Sequence, residues 1–265
     1  MNLALTEQRV GVVGHNGSGK STFARLLNGL IVPSQGSVRV DGLDTVKQAS
    51  EVRKKVGFLF TSPDAQIIMP TVAEDVAFSL RRSKLSKKER ALRVDEILTK
   101  FGLDQHADHP AHLLSGGQKQ LLALAAVLVT EPQLIVMDEP TTLLDIRNAA
   151  MIKRVIAKLP QRVVLVTHHL DQLENFDRVL VFDGGRLVAD GVPAVALERY
   201  RELMEAQLAA DEEAELSGER SDVSGEGSDV SGEGSDVSGE RSDVSGERSD
   251  VSGERSDVSG ERSDA

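Results

Sequence analysis

Nine residues near the start of the chain carry the strongest chemical pattern. They occupy positions 14–22, read G-H-N-G-S-G-K-S-T, and follow an apolar run at 9–13 that is typical of a buried strand. Glycines at these spacings let the backbone turn so tightly that several N–H groups face one anion, and the N-terminus of the following helix adds partial positive charge. A plain glycine-rich turn would need neither the lysine nor the two hydroxyls, so the pattern predicts a phosphate-binding loop.

The polar residues of this loop have expected tasks if the phosphates belong to ATP. Lys20 would neutralise the β- and γ-phosphates, Ser21 would ligate Mg²⁺, and Thr22 would donate to the α-phosphate. The residues expected to bind the nucleotide are Gly14, Asn16, Gly17, Ser18, Gly19, Lys20, Ser21 and Thr22.

Two carboxylates, Asp138 and Glu139, end a second apolar run that begins at Leu134. Because α/β sheets bind ligands at the carboxyl ends of their strands, we expect Asp138 to hold Mg²⁺, directly or through water, and Glu139 to polarise the attacking water. A strand that ends in Asp-Glu is common and would equally fit a solvated loop. The phosphate loop upstream is what favours the catalytic interpretation.

Between these two sites, residues 114–118 read L-S-G-G-Q. Ser115 can cap the following helix, and the glycines after it leave the first helical amides open to an anion. With these residues the chain resembles ATP-binding cassette (ABC) proteins, whose signature is this pentapeptide. We call residues 114–118 the signature segment.

The resemblance implies an active unit of two chains arranged head to tail, with two ATP molecules between them. In the family the signature segment closes over the γ-phosphate held by the facing subunit, a role that falls here on Ser115 and Gly117. Asp145 is similar to the family's D-loop acid, and His168 to the switch histidine that contacts the γ-phosphate. Taken alone, a helix-capping Asp and a surface His would be the ordinary interpretations.

The chain is most similar to ATPases of energy-coupling-factor (ECF) importers for vitamins and cobalt or nickel ions. The features that carry this are S-P-D-A-Q at 62–66, P-T-V-A-E-D-V-A-F at 70–78 and H-H-L at 168–170. Biotin-uptake ATPases are the nearest subgroup. The resemblance implies a second ABC ATPase subunit, a transmembrane coupling protein, a substrate-binding membrane subunit and a location on the cytoplasmic face of the plasma membrane.

Two departures from the family pattern bear on activity. The family usually has Gln after the strand at 56–60, whereas this chain has Thr61, and either Gln66 replaces that Gln or it belongs to the segment that contacts the membrane partner. The family also places a first strand and an adenine-stacking aromatic before the phosphate loop. We expect the chain to be truncated there, with loss of about 1–3 kcal/mol of ATP binding and of a neighbour for the antiparallel sheet near 37–41.

Composition limits the alternatives. The chain has 265 residues and no Cys, which excludes disulfides and cysteine metal sites. Its net charge of −11 comes from residues 211–265, which hold 18 acidic and 5 basic side chains, so the rest is nearly neutral. A soluble ABC ATPase acting on DNA or ribosomes would need basic contact surfaces, so no nucleic-acid partner is expected. A non-hydrolysing subunit of a heterodimer stays open because of Thr61.

The predicted organisation is an α/β P-loop NTPase domain at 1–210 and an acidic tail at 211–265. The tail contains seven copies of the heptapeptide S-G-E-R-S-D-V, of which two have Gly in place of Arg and the last has Ala in place of Val, a composition that favours disorder over a coiled coil. In the domain we expect a mostly parallel core sheet, a helical subdomain inserted at about 71–131, and a truncated antiparallel β subdomain. The predicted strands are 9–13, 56–60, 134–138, 163–167 and 179–182; the predicted helices are 19–30, 72–82, 87–101, 117–129, 146–158 and 194–209.

Overall fold

The core of the protein is a six-stranded sheet. The computed structural model describes residues 1–218, and the side chains of residues 1–213. The strands are β1 (Arg9–Val13), β2 (Arg39–Val40), β3 (Leu43–Asp44), β4 (Val56–Leu59), β5 (Leu134–Asp138), β6 (Arg162–Val166), β7 (Arg178–Asp183) and β8 (Arg186–Gly191). The main sheet has the order β4-β5-β6-β1-β7-β8, in which only β8 runs antiparallel to its neighbour.

Helices cover the sheet and form most of the stretch from 71 to 131. They are α1 (Lys20–Leu27), α2 (Ala49–Lys55), α3 (Val72–Ser79), α4 (Lys87–Phe101), α5 (Gly116–Leu128), α6 (Ile146–Ala157) and α7 (Pro193–Gly218). No helix within residues 1–218 is long and apolar enough to cross a membrane.

The parallel strands are buried on both faces. In β1, Val10 and Val12 pack in the same apolar cluster as Phe23 of α1, whereas Val13 belongs to a second cluster that includes the residues of α5. This double burial explains why the strands read as continuous aliphatic runs rather than as alternating ones. Because β1 and β5 both run parallel to β6, their carboxyl ends lie at the same edge of the sheet.

Helices α3, α4 and α5 each begin with a capping box. In each, a hydroxyl accepts from the backbone N–H three residues on, and the side chain there accepts from the N–H of the capping residue. The pairs are Thr71 with Glu74, Ser86 with Glu89, and Ser115 with Gln118. The local sequence thus determines where these three helices begin.

The observed elements differ from the predicted ones in several places. The helices predicted at 19–30 and 72–82 end earlier, at Leu27 and Ser79. Strand β8 and helix α2 were not predicted, and the antiparallel sheet near 37–41 is only the pair β2–β3. Helix α7 continues to Gly218, beyond the predicted domain end at 210, because residues 209–216 read A-A-D-E-E-A-E-L and are mostly good helix formers. The remainder of the predicted disordered tail lies outside the described residues.

Candidate nucleotide-binding site

The phosphate loop, residues 14–19, connects β1 to α1. Gly14 has φ 152°, and a Cβ placed on it would lie 2.2 Å from the carbonyl oxygen of Phe182. No residue larger than glycine fits there. Gly17 and Gly19 also have positive φ, at 82° and 99°, so the loop takes a path that other residues rarely adopt.

Lys20 points back into the loop from the first turn of α1. Its Nζ donates to the carbonyl oxygens of Gly14 and His15, each at 2.7 Å. Burial lowers the pKa of Lys20, and the nearby Glu139 and Asp138 carboxylates oppose that shift. A buried ammonium that lies among loop carbonyls is placed to bind an anion in the loop.

Ser18 supplies a test of whether the loop fits a ligand. Its side chain is fully buried, and its hydroxyl has no hydrogen-bond partner among the residues that the structure describes. An unpaired buried hydroxyl costs free energy, so such a group indicates a missing partner. A phosphate oxygen in the loop would supply an acceptor.

Ser21 joins the loop to the end of β5. Its Oγ donates to Oδ1 of Asp138 at 3.0 Å. Asp138 is 3% exposed, and burial raises its pKa, while the Ser21 hydrogen bond and Arg25 act in the opposite direction. A hydroxyl and a carboxylate oxygen side by side are ligands that Mg²⁺ accepts, and Mg²⁺ takes its remaining ligands from phosphate and water. The pair fits the expected cation.

Glu139 is held by two side chains. Its Oε2 accepts from Thr142 Oγ1 and contacts Nδ1 of His168, both at 2.8 Å. Its φ of 54° lies in the left-handed region, which is strained for a residue with a side chain. Sequence reasoning placed His168 on the γ-phosphate, whereas in this structure its ring contacts the carboxylate expected to polarise water. Sequence reasoning assigned no role to Thr142. The only feature that pointed to this residue was its hydroxyl, three positions after Glu139.

Thr61 contacts the same strand end through the backbone. Its Oγ1 donates to the carbonyl oxygen of Asp138 at 2.8 Å. The hydroxyl thus holds β5 where the acidic pair begins. It does not make the longer reach that the family's Gln would make.

Gln66 is engaged away from the acidic pair. Its Oε1 accepts from the N–H of Phe60 at 3.2 Å, and its Nε2 donates to the carbonyl oxygen of Ala123 in α5 at 3.3 Å. Asp64, on the same turn, pairs with Lys119 of α5 at 2.7 Å. Both ends of the Gln66 amide are thus engaged within the chain, which argues against Gln66 as a replacement for the family's Gln. The alternative, that its segment contacts a membrane partner, stays a prediction.

His15 gives the phosphate loop a contact that the sequence did not suggest. Its Nε2 lies 2.9 Å from Oδ1 of Asp183 at the end of β7. Gln207 of α7 donates to the same oxygen at 3.3 Å. The loop is therefore connected to the C-terminal helix by side chains that are far apart in sequence.

The signature segment lies at the start of α5. Ser115 caps the helix, and a Cβ on Gly117 would lie 2.4 Å from the amide group of Asn148. Asn148 in turn binds Asp145, which caps α6. Among the described residues no hydrogen bond joins 114–118 to the phosphate loop. The structure thus groups Ser115, Gly117 and Asp145 together and keeps their hydrogen bonds separate from the loop.

Comparison with known proteins agrees with this geometry. The family model described as "ABC transporter" matches residues 2–142, which is more than half of the chain. The chain belongs to this ABC transporter family. ABC proteins of this kind bind and hydrolyse ATP, so the chain is an ABC ATPase with the P-loop NTPase fold.

The relatives include ATP-binding proteins of transporters. A putative ABC transporter ATP-binding protein of Deinococcus radiodurans is 55% identical over 204 residues, which are 77% of this chain and 90% of the relative. The biotin transport ATP-binding protein BioM of Rhizobium etli is 50% identical over 203 residues, again 77% and 90%. Among solved structures, cbiO1 from Clostridium perfringens, part of the ABC transporter complex cbiONQ, has a TM-score of 0.67 at 30% identity and covers 82% of this chain and 90% of its own. The predicted likeness to the biotin and cobalt uptake ATPases is confirmed.

Proposed function

We propose that this chain is the ATP-hydrolysing subunit of an ECF-type membrane importer for a vitamin such as biotin or for cobalt or nickel ions. The observation that carries the proposal is the separation of two anion sites within one chain: a complete phosphate loop, and a signature segment whose helix start has no hydrogen bond to that loop. The names of the relatives support the importer class.

In the proposed mechanism the phosphate loop receives the triphosphate. Lys20 would exchange its contacts with the carbonyls of Gly14 and His15 for phosphate oxygens. Ser21 and Asp138 would hold Mg²⁺, which neutralises charge on the phosphates. Glu139, oriented by Thr142 and His168, would accept a proton from the attacking water.

Dimerisation would bring the second anion site into use. Ser115, Gly117 and Asp145 of one subunit would close over the γ-phosphate bound by the other. Leu143 and Ile146 support a covered surface beside Asp145, because they are 64% and 90% exposed in the single chain. ATP would thus complete an interface that each chain leaves open.

The membrane partner is expected at the segment 62–70. Asp75, itself buried, accepts from the N–H groups of Ile68 and Met69 at 2.9 and 3.0 Å and so fixes this segment. The Ile68 side chain is 62% exposed. A fixed segment with an exposed apolar side chain suits a transmembrane coupling protein, and this partner together with a substrate-binding membrane subunit would keep the ATPase at the cytoplasmic face of the plasma membrane.

The test is Mg-ATP hydrolysis by the purified chain beside Glu139→Gln, with size-exclusion chromatography in ATP. We expect the substitution to slow hydrolysis by about 100-fold or more and to trap a dimer in ATP, because binding is kept and proton abstraction is lost. Glu174→Gln, at an exposed carboxylate outside this site, is the matched control and should behave like the parent. Hydrolysis that survives in Glu139→Gln, or a trapped species that stays monomeric, would overturn the proposal.

A further inference from the structure

Three polar side chains form a hydrogen-bond chain just before the signature helix. Nε2 of His106 lies 3.0 Å from Nε2 of Gln118, and Nδ1 of His106 lies 3.0 Å from Nδ1 of His109. Gln118 is the last residue of the signature segment. His106 is partly buried, whereas His109 is exposed.

The orientation of the Gln118 amide is fixed from its other end. Its Oε1 accepts from the backbone N–H of Ser115 at 2.9 Å, which completes the capping box of α5. Only the NH₂ group is left to face His106. Nε2 of His106 must therefore be an acceptor and carry no proton.

The remaining protons follow from that assignment. A neutral His106 then carries its proton on Nδ1 and donates it to Nδ1 of His109, which must also be unprotonated. The chain of three contacts is satisfied by one arrangement, in which both imidazoles are neutral. A proton added to His106 would face the Gln118 NH₂ group, and one added to Nδ1 of His109 would face the His106 N–H.

We propose that neutral His106, backed by His109, positions Gln118 and the first turn of α5, and that protonation of the pair releases this turn. The inference rests on the proposed role of the signature segment at the facing nucleotide. A proton gained on acidification then weakens ATP-driven closure of the dimer. His106 acts through Gln118 and is a positioning residue.

Other ionisable groups lie on the elements around this turn. Asp104 precedes His106 on the same turn, where it accepts from Gln105 at 2.9 Å, and its pKa is lowered first by that hydrogen bond. Its carboxylate is a constant negative charge above pH 5, so it does not supply a transition between pH 6 and 8. Further charged groups on these elements include Asp108 on the turn, Glu74 and Asp75 on α3, Lys100 on α4 and Lys119 on α5, and His112 is a further imidazole nearby.

The first test follows the backbone N–H of Ser115 by NMR between pH 5.5 and 8.5. We expect its chemical shift to change with pH in the parent and to stay constant in His106→Gln, whose amide oxygen can still accept from Gln118 but gains no proton. His112→Gln is the matched control, since His112 is exposed, and should keep the parent's transition. In His106→Lys, which carries a charge at every pH used, the shift should stay at the parent's acidic limit. A transition that persists in His106→Gln overturns the proposal.

The second test is the ratio of ATPase rates at pH 6 and pH 8. The ratio should be about three- to tenfold higher in His106→Gln than in the parent or His112→Gln, the range expected for one hydrogen bond. Equal ratios in all three would overturn the coupling to closure even if the amide transition is found. If no variant hydrolyses ATP at any pH, the proposed function fails, and the Ser115 amide alone decides whether His106 controls the helix start.

Discussion

The phosphate loop and the signature segment are both helix starts that can bind an anion, but the chain treats them differently. At the loop, Ser18 and Lys20 are buried and Ser21 is partly buried, and hydrogen bonds within the chain join Lys20 to loop carbonyls and Ser21 to Asp138. At the signature segment, Ser115 and Gly116 are exposed, and their hydrogen bonds stay local. The phosphate loop is thus assembled within one chain, whereas the signature segment directs the amides of its helix start towards solvent.

Under the proposed function, this difference separates nucleotide binding, which one chain can perform, from ATP-dependent closure, which needs two. A buried, pre-arranged loop can bind the triphosphate without help, because its donors are already oriented. Among the described residues, the exposed segment makes no hydrogen bond to the phosphate loop. Under the proposed function, the comparison assigns nucleotide affinity to the loop and ATP-dependent association to the segment.

The largest expected effect is the loss of ATP binding in Lys20→Met. Removal of the ammonium should raise the dissociation constant by about 100-fold, since charge-assisted hydrogen bonds to phosphate are lost. Ser115→Ala should leave this constant within about twofold, because a single lost cap weakens a helix by only about 1 kcal/mol and, in the proposed dimer, its ligand lies on the other chain. Binding of a fluorescent ATP analogue to dilute protein measures both. Comparable losses in the two variants would break the division of roles.

A second prediction concerns the two glycines of the signature segment. Gly117→Ala should lower the free energy of unfolding by about 1–3 kcal/mol, because its Cβ would meet Asn148 at 2.4 Å. At Gly116 the nearest atom is a Leu144 methyl at 3.9 Å, so Gly116→Ala should be neutral or stabilising by up to about 1 kcal/mol. Urea denaturation of the monomer measures the free energy of unfolding of both variants.

The double variant Gly117→Ala, Asn148→Ala is the control for this prediction. If the close approach is the cause, removal of the Asn148 amide should recover part of the loss, after correction for Asn148→Ala alone, in which the side-chain hydrogen bond to Asp145 is also lost. Strict additivity would mean that Gly117 is required for another reason.

A third prediction concerns Thr61, which contacts the phosphate-loop side of the comparison through its hydrogen bond to Asp138. Thr61→Val removes the hydrogen bond to the Asp138 carbonyl and should cost about 1 kcal/mol of stability. Hydrolysis should slow by a similar factor, about fivefold, as β5 loosens at the acidic pair. Thr61→Gln, which restores the family's residue, should not exceed the parent rate if the hydroxyl is a structural tie. A faster Thr61→Gln would show instead that the parent is a weakened catalyst.

The elements that the sequence predicts to the residue are those whose ends are locally encoded. Strands β1 and β5 are aliphatic runs bounded by polar residues or glycine, and α4 starts at the Ser86 capping box and ends at Gly102, which has φ 65°. Strand β8 was missed because it lies at the sheet edge and alternates exposed with only partly buried residues. Its signal was the pair Gly184-Gly185, a turn between two strands.

Motif spacing predicted which residues are present in the site but not all of their contacts. The approach of Ser21 to Asp138 follows from two strand ends at one sheet edge and could be expected. The bonds of Gln66 to Phe60 and Ala123, and of His168 to Glu139, depend on how loops fold over that edge. Such loop contacts follow no periodic rule, so residue order alone leaves their partners open.

The smallest effects are expected from two glutamines at α5, namely Gln120, which lies within the helix, and Gln66, which donates a hydrogen bond to it. Gln120 is 1% exposed, and neither atom of its amide has a hydrogen-bond partner among residues 1–213. Gln120→Met should raise the free energy of unfolding of the monomer by about 1 kcal/mol, whereas Gln66→Met should lower it by a similar amount, because both of its bonds are lost. Thermal unfolding without nucleotide measures both. If the Gln120 amide gains a partner only on closure, Gln120→Met will weaken the ATP-trapped dimer while it stabilises the monomer, and the second half of the site will then extend one turn into the signature helix.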